Sequence, residues 1–158
     1  MGKLDNKVAL STGSSANPSQ PEIRQLLTAA KTIAMVGASS RENRPSHGVM
    51  RKLQSVGYRV IPVNPHETEV LGERAYGTLE EVPEKVDIVD VFRRAEETPP
   101  IADAAVRIGA DTFWLQLGIA NEDAAQRARA GGLTVVMDLC IGTAHTVLQV
   151  PTKSKENS

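Results

Sequence analysis

The chain alternates between short apolar runs rich in β-branched residues and longer stretches with apolar residues at helical spacing. The five apolar runs are TIAMVG, YRVIPVNP, VDIVDVF, DTFWLQLG and LTVVMD. Near-continuous apolar strands separated by amphipathic helices are typical of a parallel sheet that is covered on both faces. Since helical crossovers place helices over a sheet, the pattern predicts a doubly wound α/β domain of about five strands.

Four helices are expected between or before these strands. The first begins after Ser19, which is a suitable N-cap because Pro21 and Glu22 follow in the first turn. The others are predicted in SHGVMRKLQSVG, TPPIADAAVRIGA and NEDAAQRARAGG, each containing or ending at glycine. Residues 66–86 interrupt the alternation, and we expect a short extended piece near RAYGT and a helical turn near LEEVP, packed along the sheet.

The length and composition favour one domain with two loose ends. The chain has 158 residues, of which 41% are hydrophobic, enough for one core and too few for two ordinary domains. Residues 1–19 and 151–158 contain few apolar side chains and are expected to be disordered tails. The folded domain is therefore predicted to span 20–150.

The charges and the single cysteine exclude several kinds of partner. Lys and Arg number 18 against 19 Asp and Glu, so no overall field favours nucleic acid or an anionic membrane. Cys140 alone forms neither an internal disulfide nor a thiolate metal cage, and no metal site is expected. No apolar run approaches the roughly 20 residues of a membrane-spanning helix. We expect a soluble cytoplasmic protein.

A candidate anion site follows the first predicted strand. In doubly wound sheets, ligands bind beyond the carboxyl ends of the strands, where the strand order reverses. Small residues there let a phosphate approach backbone N–H groups, a helix N-terminus attracts anions, and two arginines add charged donors. The predicted residues are Gly37, Ala38, Ser39, Ser40, Arg41, Arg44, Pro45 and Ser46. The alternative is an ordinary tight turn next to exposed arginines.

The absence of two known motifs limits which kind of phosphate-containing ligand this loop could bind. A dinucleotide site typically has G-x-G-x-x-G and an acid at the end of the second strand to hold the ribose hydroxyls. Here the loop reads GASSREN, and the second strand ends in Val63, Asn64 and Pro65. A Walker loop is also absent, which argues against a nucleoside triphosphatase.

Four runs in order carry a family resemblance: KTIAMVGASSRENRPSHGVMRKLQSVGYRVIPVNP, VDIVDVFRR, WLQLGI and VVMDLC. Together they resemble the stand-alone coenzyme A-binding proteins, which are similar to the CoA-binding domain of succinyl-CoA synthetase α subunits and NDP-forming acyl-CoA synthetases. The resemblance covers residues 20–148 and implies a Rossmann-like fold with coenzyme A as the cofactor.

The resemblance also implies roles for individual residues. The loop and helix start at 37–46 would receive the CoA phosphates, and Val63, Asn64 and Pro65 would flank the adenosine. Phe92, Arg93, Gln116 and Gly118 would line the cleft. One position departs from the family: relatives often carry a basic residue between the Asp and Cys of the last run, and Leu139 stands there in this chain.

Three kinds of function are considered for this chain. The first is a CoA or acyl-CoA binding protein without a catalytic centre, acting as a carrier, a sensor or a partner of an enzyme of acyl-CoA metabolism. The alternatives are an NAD(P)-binding oxidoreductase, an accessory subunit of an acyl-CoA synthetase, or an interaction module with an empty cleft. For Cys140, a mixed disulfide with CoA competes with the role of a small buried apolar residue.

Overall fold

A computed structural model describes residues 17–153, and all structural statements below concern this range. Five helices and seven strands are present. The helices are α1 (Gln20–Ala29), α2 (Pro45–Ser55), α3 (Thr98–Arg107), α4 (Glu122–Ala130) and α5 (Ile141–Val147). The strands are β1 (Thr32–Val36), β2 (Arg59–Val63), β3 (Glu69–Val70), β4 (Glu73–Arg74), β5 (Ile88–Val91), β6 (Thr112–Leu115) and β7 (Thr134–Val136).

The main sheet has five parallel strands in the order β2-β1-β5-β6-β7. The five strands are the five runs predicted from the sequence, and the doubly wound α/β prediction is confirmed. The chain passes from β1 outward to β2 and then returns to add β5 on the other side of β1. The strand order therefore reverses between β1 and β5, and their carboxyl ends flank the expected ligand crevice.

Strand residues alternate between two apolar layers, which explains why the strands are apolar on both faces. Ile33 and Met35 of β1 pack with α1, α2 and α5, whereas Ala34 packs with α3 and α4. The second layer uses small side chains, including Ala102 and Ala125, which allow α3 and α4 to approach the sheet and each other closely. Helices thus cover both faces.

The predicted helix starts and the irregular segment have clear local causes. Ser19 caps α1 in a capping box, with Ser19 Oγ accepting from Glu22 N at 3.3 Å and Glu22 Oε1 accepting from Ser19 N at 2.9 Å. In the 66–86 segment, β3 and β4 form an antiparallel pair, Tyr76 bridges to Val63, and a single 3₁₀ turn spans Leu79–Glu81. This segment extends the β2 edge, as expected.

Helix α5 was not predicted. Its sequence, IGTAHTV, combines glycine with β-branched residues that have weak helix propensity, and the N-cap Cys140 makes no side-chain capping hydrogen bond. Ile141 and Ala144 are fully buried against the α1 and α2 layer. Tertiary packing therefore determines this helix.

Two residues inside the predicted tails, Asn17 and Lys153, make hydrogen bonds to the domain. Asn17 Nδ2 donates to Met137 O at 2.9 Å, and Met137 N donates to Asn17 Oδ1 at 2.8 Å. At the other end, Lys153 N donates to Val56 O at 2.8 Å. The prediction of disorder for 1–16 and 154–158 lies outside the described residues.

Within the described range, no helix is both long and apolar enough to cross a bilayer.

A buried carboxyl group lies in the centre of the sheet. Asp90 of β5 is paired in register with Met35 and Trp114, has 0% exposure, and neither carboxyl oxygen has a hydrogen-bond partner among residues 17–153. Burial, and secondarily the nearby Cys140 thiolate, raises the pKa of Asp90 well above its ordinary value. The native state therefore keeps this proton at pH values where the unfolded chain loses it.

This leads to a prediction for Asp90→Asn. Native Asp90 keeps a proton that the unfolded chain releases above about pH 4. The free energy of unfolding of the wild type therefore falls as the pH rises from about 4 towards the native pKa of Asp90. Asparagine does not titrate, so the variant should gain stability relative to wild type as the pH rises. Urea unfolding at several pH values between 4 and 8 measures this difference. A difference that stays constant over this range would contradict a neutral buried Asp90.

Candidate functional site

A cleft of about 560 Å³ opens where the strand order reverses. This volume is in the range of small-molecule sites. The cleft is lined by Gly37, Ser39, Ser40, Arg41, Arg44, Pro45, Ser46, Asn64, His66, Glu67, Phe92 and Arg93. These residues come from the loop after β1, the start of α2, the turn after β2 and the end of β5. The structure thus brings together most residues that the sequence analysis selected.

Gly37 determines how closely the loop after β1 approaches the neighbouring strands. Its N–H donates to Val63 O at 2.9 Å, and its φ of +89° lies in the left-handed region. A Cβ at this position would lie 2.4 Å from the carbonyl oxygen of Phe92. Only glycine therefore fits between the ends of β2 and β5.

The loop after Gly37 is shaped by short-range hydrogen bonds. Ser39 Oγ accepts from Arg41 N at 3.1 Å, and Arg44 N donates to Arg41 O at 3.1 Å, which turns the chain into α2. Ala38 is fully buried, so its side chain supports the loop from below and does not line the cleft.

The start of α2 leaves its first turn available to an external acceptor. The N-cap Arg44 makes no side-chain capping hydrogen bond, whereas Ser19 and Asn121 cap α1 and α4. Pro45 has no N–H group and His47 N donates to Arg44 O at 3.0 Å, so Ser46 N–H is the backbone donor of this turn that is left for the cleft, together with the partial positive charge of the helix start. Ser46, in this turn, is only 3% exposed but lines the cleft.

The three arginines of the cleft differ in their ion pairs. Arg41 and Arg44 are exposed and have no carboxylate within ion-pair distance in the described part of the chain. Arg93 instead contacts Glu97 at 2.7 Å. Arg41 and Arg44 therefore provide positive charge that no ion pair within 17–153 neutralises. Arg93 must exchange its partner before it binds a ligand.

Asn64 has a structural role within the cleft. Its Nδ2 donates to Ala38 O at 2.8 Å and its Oδ1 accepts from His66 N at 2.9 Å. The side chain thus joins the turn after β2 to the loop after β1. Val63 is buried in the core and Pro65 is exposed, and neither lines the cleft. Adenosine contacts from Val63, Asn64 and Pro65 stay a prediction.

Gln116 and Gly118 do not line this cleft. Gln116 is 4% exposed and its Oε1 accepts from Ile141 N at 3.2 Å, so it holds the start of α5. Gly118 N donates to Asp138 Oδ1 at 2.6 Å, which caps the turn after β6. Both polar groups are used within the protein, and ligand contact by either residue stays a prediction.

Leu139, where relatives often carry a basic residue, is buried. Its side chain is 3% exposed, and its carbonyl oxygen accepts from Trp114 Nε1 at 2.7 Å. No cationic side chain therefore reaches the ligand crevice from this position.

Cys140 lines a different cavity from the loop after β1. This shallower cavity, of about 380 Å³, is lined by α2 and α5, including Lys52. Burial opposes ionisation of the Cys140 thiol, but hydrogen bonds from Thr143, Gln116 and Gly142 outweigh it and lower the pKa below its ordinary value. A mixed disulfide with CoA stays a prediction.

Two residues of the cleft, His66 and Glu67, were not predicted from the sequence. Both come from the turn after β2 and line the cleft. A carboxylate is thus present beside the loop after β1, although no acid ends the second strand. The Asn-Pro pair turns the chain back towards the loop, and this reversal is the signal that could have indicated these residues.

Within 17–153, no group of three or more His, Cys, Asp or Glu side chains is placed to hold a metal ion.

Comparison with known proteins adds evidence from sequence and fold. The family model described as CoA binding domain matches residues 31–146. The uncharacterized protein YneT of Bacillus subtilis (strain 168) is 47% identical over 131 residues, covering 83% of this chain and 97% of that protein. A hypothetical protein from Pyrococcus horikoshii OT3 superposes with a TM-score of 0.82 at 36% identity, covering 84% of this chain and 93% of that one.

Part of the chain is also similar in sequence to part of a longer enzyme. The ADP-forming acetate–CoA ligase I of Archaeoglobus fulgidus is 30% identical over 77 residues, which is 49% of this chain but 11% of the ligase. The similarity therefore concerns a small part of that enzyme.

The site predicts opposite effects for alanine at two glycines. Gly37→Ala should lower the free energy of unfolding by about 2 kcal/mol or more, because left-handed φ costs about 1–2 kcal/mol and the new Cβ meets backbone. Gly48→Ala should raise it by about 0.5–1 kcal/mol, because Gly48 is helical and a Cβ there meets nothing within 4 Å. Urea unfolding monitored by circular dichroism compares the two. Equal stability of both variants would contradict the tight packing of Gly37.

Proposed function

The chain belongs to the CoA binding domain family, and from this premise we propose that it binds coenzyme A or an acyl-CoA, with the phosphates at Gly37–Ser46. The observation that carries the proposal is the uncapped start of α2 beside Arg41 and Arg44, two arginines without carboxylate partners in the described range. Anions are stabilised at such a place by backbone N–H groups and by charge-assisted hydrogen bonds.

Coenzyme A suits this cleft because it carries a pyrophosphate and a 3′-phosphate. The cleft offers two guanidinium groups for this negative charge, and its volume of about 560 Å³ accommodates part of such a ligand, leaving the pantetheine arm to extend along the surface. The proposed role is binding without chemistry, as a carrier, a sensor or a partner of an enzyme of acyl-CoA metabolism. The similarity to part of an acetate–CoA ligase supports the last of these.

One observation favours a second candidate, an NAD(P)-binding domain. Glu67 places a carboxylate in the cleft from the turn after β2, and dinucleotide sites use an acid from this region for ribose hydroxyls. The missing G-x-G-x-x-G pattern and the unpaired arginines favour CoA over NAD. Isothermal titration calorimetry with CoA and with NAD distinguishes the two candidates, and NAD binding as tight as CoA binding would refute the CoA proposal.

Substitution of the cleft arginines tests the location of the phosphates. Arg41→Ala and Arg44→Ala should each weaken CoA binding by roughly 10- to 100-fold, because a hydrogen bond to a charged group contributes about 1.5–3 kcal/mol. Arg51→Ala is the matched control, since it removes the same charge from an exposed position of α2 outside the cleft. Calorimetry should show less than about twofold change for the control. Equal losses in all three variants would indicate a general charge effect and no specific site.

Dephospho-CoA identifies which phosphate Arg41 contacts. If Arg41 binds the 3′-phosphate, Arg41→Ala should weaken CoA binding more than dephospho-CoA binding. Equal losses for the two ligands would place Arg41 at the pyrophosphate.

A further inference from the structure

Glu67 occupies hydrogen-bond donors of the phosphate loop. One oxygen of its carboxylate, Oε2, accepts from Ser40 N at 2.8 Å and from Ser40 Oγ at 3.1 Å. Both residues line the cleft. The backbone N–H of a small residue in this loop is the kind of donor that a phosphate oxygen would use. A carboxylate of the protein thus takes the place of a ligand anion at Ser40.

Glu67 shares its cleft with positively charged side chains. Arg41 and Arg44 line the same cleft, yet Glu67 forms no ion pair with either of them among the described residues. Ion pairing therefore does not explain where this carboxylate lies. Among residues 17–153, its carboxylate accepts hydrogen bonds from the N–H and O–H groups of Ser40. Its negative charge lies in a cleft that otherwise favours anions because of Arg41 and Arg44.

The side chain of Glu67 can leave Ser40 without unfolding the turn. The backbone of the turn is held independently, because Glu67 N donates to Asn64 O at 3.2 Å and Asn64 Nδ2 donates to Ala38 O at 2.8 Å. Glu67 is only partly buried, so a change of side-chain rotamer is enough to carry the carboxylate into solvent. The loop and the turn stay joined through Asn64 and through Gly37 N, which donates to Val63 O.

We propose that Glu67 is an intramolecular competitor of the ligand phosphate, which must displace the carboxylate from Ser40 before it binds there. This inference rests on the proposed function. The negative charge also repels a phosphate within the cleft until the side chain moves away. Glu67 therefore sets the CoA affinity below the value that the loop and the arginines alone would give.

Glu67→Gln separates this role from a purely structural one. The amide oxygen of glutamine can still accept from Ser40, so the link between turn and loop is kept while the charge is removed. The variant should bind CoA about tenfold more tightly than wild type, a change of about 1.4 kcal/mol. Glu69→Gln is the matched control, because Glu69 is exposed in β3 and does not line the cleft. This variant should change the affinity by less than about twofold.

Calorimetric titration of CoA into the three proteins tests the inference. Tighter binding by Glu67→Gln with unchanged binding by Glu69→Gln supports it. Unchanged or weaker binding by Glu67→Gln, with wild type binding CoA, overturns it, and weaker binding would make Glu67 a ligand contact. Equal tightening in both variants also overturns it, since the effect would then come from net charge. If neither wild type nor Glu67→Gln binds CoA, the proposed function itself fails.

Discussion

The pairing of β1 with β5 on one side and β2 on the other is the constraint on which the ligand crevice depends. Phe92 N donates to Val36 O at 2.8 Å and Gly37 N donates to Val63 O at 2.9 Å, so three strand ends meet at one glycine. Because Gly37 has no Cβ, the loop after β1 lies directly against the end of β5. The start of α2 and the turn after β2 are positioned by this contact, and the cleft exists because of it.

The sheet could be predicted from the sequence because its strands are buried on both faces. Such strands are short apolar runs, and the glycines and polar residues between them mark the crossovers. Helix α5 could not be predicted in this way, since its local sequence lacks a capping side chain and strong helix formers. Burial of Ile141 and Ala144 determines it, and burial depends on the whole fold.

The residues of the candidate site that come directly after a strand could be predicted from the sequence. The loop after β1 was predicted because small and basic residues follow an apolar run, and the structure places Arg41, Arg44 and Ser46 at one cleft. Gln116 was placed there by resemblance, but it is buried and holds the start of α5. Glu67 was missed because it lies beyond the strand end and reaches Ser40 only after the chain reverses. The Asn-Pro pair indicates that the chain reverses there, but it does not indicate which side chain reaches Ser40.

A nuclear magnetic resonance titration of the ¹⁵N-labelled wild-type protein with CoA tests the central claim most directly. The account places the CoA phosphates at the loop after β1 and the start of α2. Amide resonances of the non-proline residues in 37–46, 64–67 and 92–93 should shift most, with Ser40 among them because it exchanges Glu67 for the ligand. Shifts concentrated instead around Cys140 and Lys52, with the loop unchanged, would contradict the account.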